Sequence, residues 1–216
     1  MKTEEFVLIL IIDGYNLIKQ VFHKVKGKLE NQRNQIIKEL GYYKKKRENG
    51  IKDIILVFDG GFTSHADRQI HDGVVVIFSG NKDSADDWII KFVEKHKNEE
   101  MLLVTKDRKL KSACKNYGVD ALGVYDFYDI VQNTILEDVE KEFKIKNKSF
   151  ENVKKEEDYI YDDQLKGFEL GDSEALDILM SQADIFESKK DEEKIKKKSE
   201  KMSKKDKRIY KKIKKL

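Results

Sequence analysis

Residues 6–12, FVLILII, form an unbroken apolar run that ends in Asp13-Gly14-Tyr15-Asn16. A strand this apolar must be covered on both faces, as a central parallel strand in an α/β sheet is. Open α/β sheets place their ligands outside the carboxyl ends of their strands. Asp13 and Asn16 therefore stand at the mouth of a candidate site. The same residues also suit a plain turn out of a strand, with Asn16 capping the next helix. The rest of the chain has to separate the two readings.

The pattern recurs downstream. Helical segments are expected over 17–23 and 29–48, the second with Leu29, Ile36, Ile37, Leu40 and Tyr43 on one stripe and Asn49-Gly50 as its stop. A second strand, 54–58, ends in Asp59-Gly60-Gly61, and 62–73 has no clear period and reads as a loop. A third strand, 74–78, leads to a helix over 85–96 that opens with Asp86 and Asp87. A fourth, 101–104, runs into Thr105-Lys106-Asp107, followed by a helix over 108–117, a strand over 119–124 and a helix over 127–143. Strands alternating with helices at this spacing predict an α/β fold around a mostly parallel sheet, complete within 1–143. Beyond it, 144–164 reads as a polar linker. Residues 165–188, with Leu176, Leu179, Met180 and Phe186 in helical register, read as a short docking helix.

Charge is distributed unevenly. Residues 189–216 hold fifteen Lys or Arg against five Asp or Glu, a net of +10, while the rest holds 29 basic and 36 acidic groups, a net of -7. A mildly acidic body with a basic tail points to an anionic partner, nucleic acid first, although lysine runs are often simply solvated. Ile195, Met202, Ile209 and Ile213 give the tail the stripe of a basic helix that forms on contact with a partner. The single cysteine, Cys114, excludes an internal disulfide and fits a packing role in a reducing compartment. The apolar run at 6–12 is too short for a membrane span or signal segment, so a cytoplasmic protein without membrane contact is expected.

Asp13, Asp59, Asp86 with Asp87, and Asp107 each follow a strand, and a parallel sheet brings such ends to one edge. Clustered carboxylates repel one another unless a cation intervenes. Mg²⁺ or Mn²⁺ suits all-oxygen ligands and could activate water and stabilise a leaving oxygen. Each acid also has an ordinary structural use: Asp86 and Asp87 favour a helix start capped by Ser84, Asp107 can cap the next helix, and Asp59 can serve a turn. The four histidines show no paired ligand spacing.

Taken in order, Ile11-Ile12-Asp13-Gly14-Tyr15-Asn16, Val57-Phe58-Asp59-Gly60, Ser84-Ala85-Asp86-Asp87-Trp88-Ile89 and Val104-Thr105-Lys106-Asp107 resemble the NYN domain of the PIN-like nuclease superfamily, in its YacP-like bacterial branch. The resemblance spans about 6–140. It implies a three-layer α/β/α fold, with the helical lysine-rich extension added, and metal-dependent endoribonuclease activity. Asp13, Asp86 and Asp107 match the family's catalytic acids, Asn16 the amide of its first motif and Asp59 an acid of its second. Lys106 departs from the small residue usual at that place. On this reading Asp13, Asp86, Asp107 and Asp59 hold Mg²⁺ or Mn²⁺, and Asn16 orients water or a phosphate oxygen. Thr105 fixes the turn presenting Asp107, and Thr105, Lys106, Arg108 and Lys109 are candidates for substrate contact, although Lys106, Arg108 and Lys109 equally suit a solvated face. RNA is the expected partner, and residues 189–216 could reach the ribosome. The competing reading is an RNA-binding or ribosome-associated module that does not cleave.

Overall fold

The computed structural model describes residues 8–22, 27–156 and 204–214, together with Glu174, Asp177 and Ile178. Strand β1 (Leu8–Asp13) is buried along its whole length. Its side chains divide by parity, as a strand's must. Leu8, Leu10 and Ile12 enter a core with Leu17, Ile36, Leu40, Phe127 and Val131, while Ile9 and Ile11 join Ile89, Val93, Leu110 and Cys114 on the other face. Those partners lie on α1 (Gly14–Val21), α2 (Leu29–Lys46) and α5 (Val124–Glu156) on the first side, and on α3 (Ala85–Lys95) and α4 (Arg108–Lys115) on the second. The three-layer α/β/α arrangement follows from this division of one apolar run.

The remaining strands are β2 (Ile51–Phe58), β3 (Asp67–His71), β4 (Val74–Phe78), β5 (Met101–Val104) and β6 (Asp120–Leu122). Among the described residues they form one sheet in the order β3-β4-β2-β1-β5-β6. Every neighbouring pair is parallel except β3 with β4. The chain winds outward from β1 through β2 and β4, then returns to place β5 on the other side of β1. The switch in direction between β1 and β5 opens a crevice at their carboxyl ends.

Two expectations change. Residues 62–73, expected as a loop, contain strand β3, which pairs antiparallel with β4 through Asp72-Gly73. Both turn residues have positive φ, 50° and 75°, the backbone of a tight hairpin turn. Edge strand β3 is exposed along most of its length, so burial imposes no alternation on its sequence. Helix α5 runs unbroken from Val124 to Glu156, through much of the stretch expected as a linker.

The tail differs as well. Helix α6 (Lys204–Lys214) rests on the domain itself: Ile209 and Ile213 are buried in the core shared with α5. Tyr210 donates to Asp129 (2.8 Å), and Lys205 pairs with Asp120. The apolar stripe assigned to an external partner is thus used, at these two positions, within the chain. Ile195 and Met202 lie outside the described residues, as do Leu176, Leu179, Met180 and Phe186. Near the latter four, Ile178 is buried in the same core and Glu174 pairs with Lys45 (2.7 Å). Among the described residues no helix is long and apolar enough to cross a membrane.

Candidate active site

The switch point between β1 and β5 is where the acids meet. Asp13 ends β1 and caps α1, accepting the backbone N–H of Asn16 at 3.1 Å. Its other oxygen accepts the Asn16 side-chain amide and the Thr105 hydroxyl, the latter at 3.2 Å. Thr105 is fully buried, just beyond β5, and its Oγ1 also accepts the backbone N–H of Asp107 at 3.1 Å. Thr105 therefore ties the first and last acids together from beneath and positions them; it has no surface with which to contact a substrate. Gly14 is required here because a Cβ would lie 2.4 Å from the Phe58 ring.

Asp107 caps α4, its Oδ1 accepting from Lys109 (2.6 Å) and Leu110 (3.0 Å). The Leu110 and Lys109 backbone N–H groups hold its carboxyl below the usual range. Asp59 Oδ1 accepts the backbone N–H of Ala85 at 3.1 Å, bridging the end of β2 to the start of α3, and the hydroxyl of Ser79 at 3.4 Å. Ser79 was not evident from sequence. It ends an apolar run and looks like ordinary turn chemistry, yet it is buried and also accepts from Gly60 N–H (3.1 Å).

Asp86 and Asp87 separate by role. Asp87 closes a capping box with Ser84, and the Ser84 hydroxyl, then its backbone N–H, lower the Asp87 carboxyl. Asp86, half-buried on the first turn of α3, is raised by burial first and then by the charges of Asp13, Asp107, Asp87 and Asp59. Acids from three other strand ends, and the neighbouring Asp87, thus act electrostatically on one side chain. Cys114 senses the same charge: burial first, then Asp86, push its thiol up to about 11, which keeps it protonated and inert in the core.

Among the described residues no three His, Cys, Asp or Glu side chains stand close enough to form a ready-made metal cage. The donor set nevertheless fits a hard cation: it is all oxygen, and its central carboxyl is held up by burial first and then by neighbours whose charge a cation would offset. Lys106, Arg108 and Lys109 are exposed beside this edge, at and just before the start of α4.

A mostly parallel α/β/α sheet with acids gathered at its switch point defines a PIN-like domain of nuclease type. The chain belongs to the YacP-like NYN domain family, whose sequence profile matches residues 10–170 and so takes in the whole of α5. It is similar to the crystal structure of a point mutant of Rae1 (YacP) from Bacillus subtilis, with 25% identity and a TM-score of 0.52 over 64% of this chain and 84% of that one. A second Rae1 (YacP) crystal structure from the same organism gives 21% identity and a TM-score of 0.47, over 68% and 88%. No curated protein matches the chain.

Proposed function

We propose that this protein is a Mg²⁺- or Mn²⁺-dependent endoribonuclease hydrolysing RNA phosphodiester bonds, with Asp13, Asn16, Asp86 and Asp107 as its catalytic residues. The carrying observation is the convergence of Asp13, Asp107 and Asp59, each from a different strand end, on Asp86. A protein that only bound phosphate would gain nothing from gathered negative charge. Asp86, Asp107, Asp13 and Asp59 would hold the ion. When bound, it would supply Lewis-acid stabilisation of phosphate oxygens and activation of water. Asn16, itself held by Asp13, turns its amide toward the same edge and orients water or a phosphate oxygen. Thr105 keeps Asp13 and Asp107 at fixed separation. Lys106, Arg108 and Lys109 follow the RNA backbone.

The setting we favour is mRNA or ribosome-bound RNA, with the outward lysines and arginine of α6 as the contact and the cytoplasm as the compartment. The test is cleavage of a panel of structured and single-stranded RNAs, free and on ribosomes, in Mn²⁺, Mg²⁺ or EDTA. Wild type is run beside Asp86→Asn. Cleavage that requires metal and vanishes in the variant is expected. Full cleavage by the variant, or none by the wild type under any condition, would overturn the assignment.

The non-catalytic reading has one observation on its side: Asp13 and Asp107 already spend oxygens on helix caps. RNA affinity that ignores metal, with no cleavage, would favour it.

A further inference from the structure

Resting on the ribonuclease reading, we infer that a groove between α2 and the β3–β4 hairpin receives one unstacked base of the RNA strand, with Arg33 as its stacking surface. The groove has a volume of about 530 Å³ and is lined by Arg33, Asn34, Phe58, Gln69 and Phe78, with Glu30 and Asp72 among its other walls. That size suits a small ligand group. Phe58 and Phe78 stack on each other, centroids 5.6 Å apart at 24°. The Arg33 guanidinium lies over both rings, 5.8 Å from Phe58 and 5.4 Å from Phe78.

Arg33 is half-buried, and among the described residues no carboxylate pairs with it. A half-buried guanidinium without a carboxylate partner keeps its charge by facing the solvent of the groove, and is open to a ligand there. One use is internal: the side chain covers the aromatic floor. Its N–H donors then face the solvent of the groove, where a ligand's acceptors can replace water. A nucleobase satisfies both parts at once, because bases stack on guanidinium planes and carry acceptors at their edges. Asn34 and Gln69 add amide donors and acceptors at the rim. Glu30 and Asp72 balance Arg33 and Lys38 in the lining, so the groove carries no net charge and suits an uncharged base better than a phosphate.

Placement links the groove to the acids. Phe58 immediately precedes Asp59, and Phe78 immediately precedes Ser79, which bonds Asp59. Tyr15, between Asp13 and Asn16 in the chain, meets the Phe58 ring edge-on at 5.2 Å. A strand with a phosphate at the carboxylate edge therefore has a neighbouring base at the groove mouth.

The test uses short single-stranded RNAs with 2-aminopurine moved through every position, bound to the full-length protein in EDTA, where no cleavage is expected. Cleavage in Mn²⁺ is measured in parallel. Quenching at one position is expected in wild type, lost in Arg33→Ala and weakened in Arg33→Lys, which keeps the charge but not the plane. An abasic nucleotide at that position should weaken wild-type binding about tenfold and Arg33→Ala hardly at all, since stacking is what both changes remove. Uniform fluorescence, or equal abasic losses in wild type and Arg33→Ala, overturns the inference. Active cleavage with no position-specific quenching sinks the groove and keeps the nuclease. Quenching lost in Arg33→Ala, with no cleavage in any metal, keeps the groove and sinks the nuclease. If the groove instead receives a protein segment, RNA leaves every fluorescence reading unchanged, which also overturns it.

Discussion

The carboxylate edge and helix α6 are both densely charged, and they are held in opposite ways. Asp107 and Asp87 are fixed by helix-start groups within three residues of themselves, as is Asp13 in part. Thr105, Ser79 and the backbone N–H of Ala85 add long-range support, reaching Asp13 and Asp59 across the sheet edge. Helix α6 is held chiefly through its apolar side, with Lys205 paired to Asp120. It is placed by Ile209 and Ile213, buried against α5, and by a Tyr210 bond to Asp129. Asp13, Asp59, Asp87 and Asp107 are therefore each fixed by hydrogen bonds, whereas the outward cations of α6 ride on an element held by its apolar side. Loss of charge should cost function at the first region and at the exposed positions of the second. Loss of apolar packing should cost stability at α6.

The largest effect expected is on Asp86. Asp86→Asn should reduce metal-dependent RNA cleavage at least about a hundredfold, as removal of a metal-holding group does. Its folded carboxyl is raised, so the charged form is disfavoured by folding. The sign then requires that neutralising it does not lower the melting temperature at neutral pH. A large drop in melting temperature alongside lost activity would mean that the edge is a stability element and the contrast is wrong.

Next is α6. Ile213→Ala should cost about 2–5 kcal/mol in urea unfolding, because the side chain is only 1% exposed. Reversing exposed Lys207, Arg208 and Lys211 to Glu should change stability by less than about 0.5 kcal/mol each. The same reversals should flatten the salt dependence of RNA or ribosome binding, by about 0.7 in slope for each phosphate no longer neutralised. Deleting the tail would confound these effects, since it removes core together with charge. Binding unchanged by all three reversals would show the cations to be a solvated face.

Gly14→Ala tests whether the aromatic floor positions the acid. The added methyl meets the Phe58 ring, so a loss of about 1–3 kcal/mol is expected, with cleavage reduced more than that loss of folded protein explains. Equal stability and activity would show that α1 can shift freely.

The smallest loss expected from removing a buried or partnered group lies away from both regions, at Asp138. Burial raises its carboxyl, but hydrogen bonds from Lys141, Lys46 and Tyr42 outweigh this and lower it. A depressed folded pKa contributes stability above the unfolded value of about 3.9 and loses it as pH falls through the folded one. Asp138→Asn should cost on the order of 1 kcal/mol at neutral pH and flatten that acid limb in pH-dependent denaturation. An unchanged limb would remove Asp138 from the account.

Much of the sheet was readable because burial writes itself into consecutive residues. Met101–Val104 matched to the residue, and Val74–Phe78 likewise, since both lie inside and must be apolar throughout. Strand β3 was not, because an exposed edge has no apolar pattern to show; its one signal was Asp72-Gly73, read as part of a loop. The start of α3 was legible through Ser84 and Asp87, whose capping box is a local pattern. Asp86 beside them carries no local mark distinguishing it from a helix-start acid. Its difference comes from burial and from Asp13, Asp59 and Asp107, which the sheet brings within reach.

The sequence by itself determined what can be decided within a few residues: apolar runs that must be covered, helix starts that need caps, and acids that follow strands. Tertiary structure decided what each of those features faces. It turned the stripe on α6 inward onto α5, because an apolar surface within reach of the same chain is buried at no cost in association. It set Arg33 over Phe58 and Phe78, and Ser79 under Asp59, contacts between elements that no spacing along the chain encodes. The family and the edge of acids were thus written in order along the sequence, while the groove beside them exists only where α2 crosses the sheet.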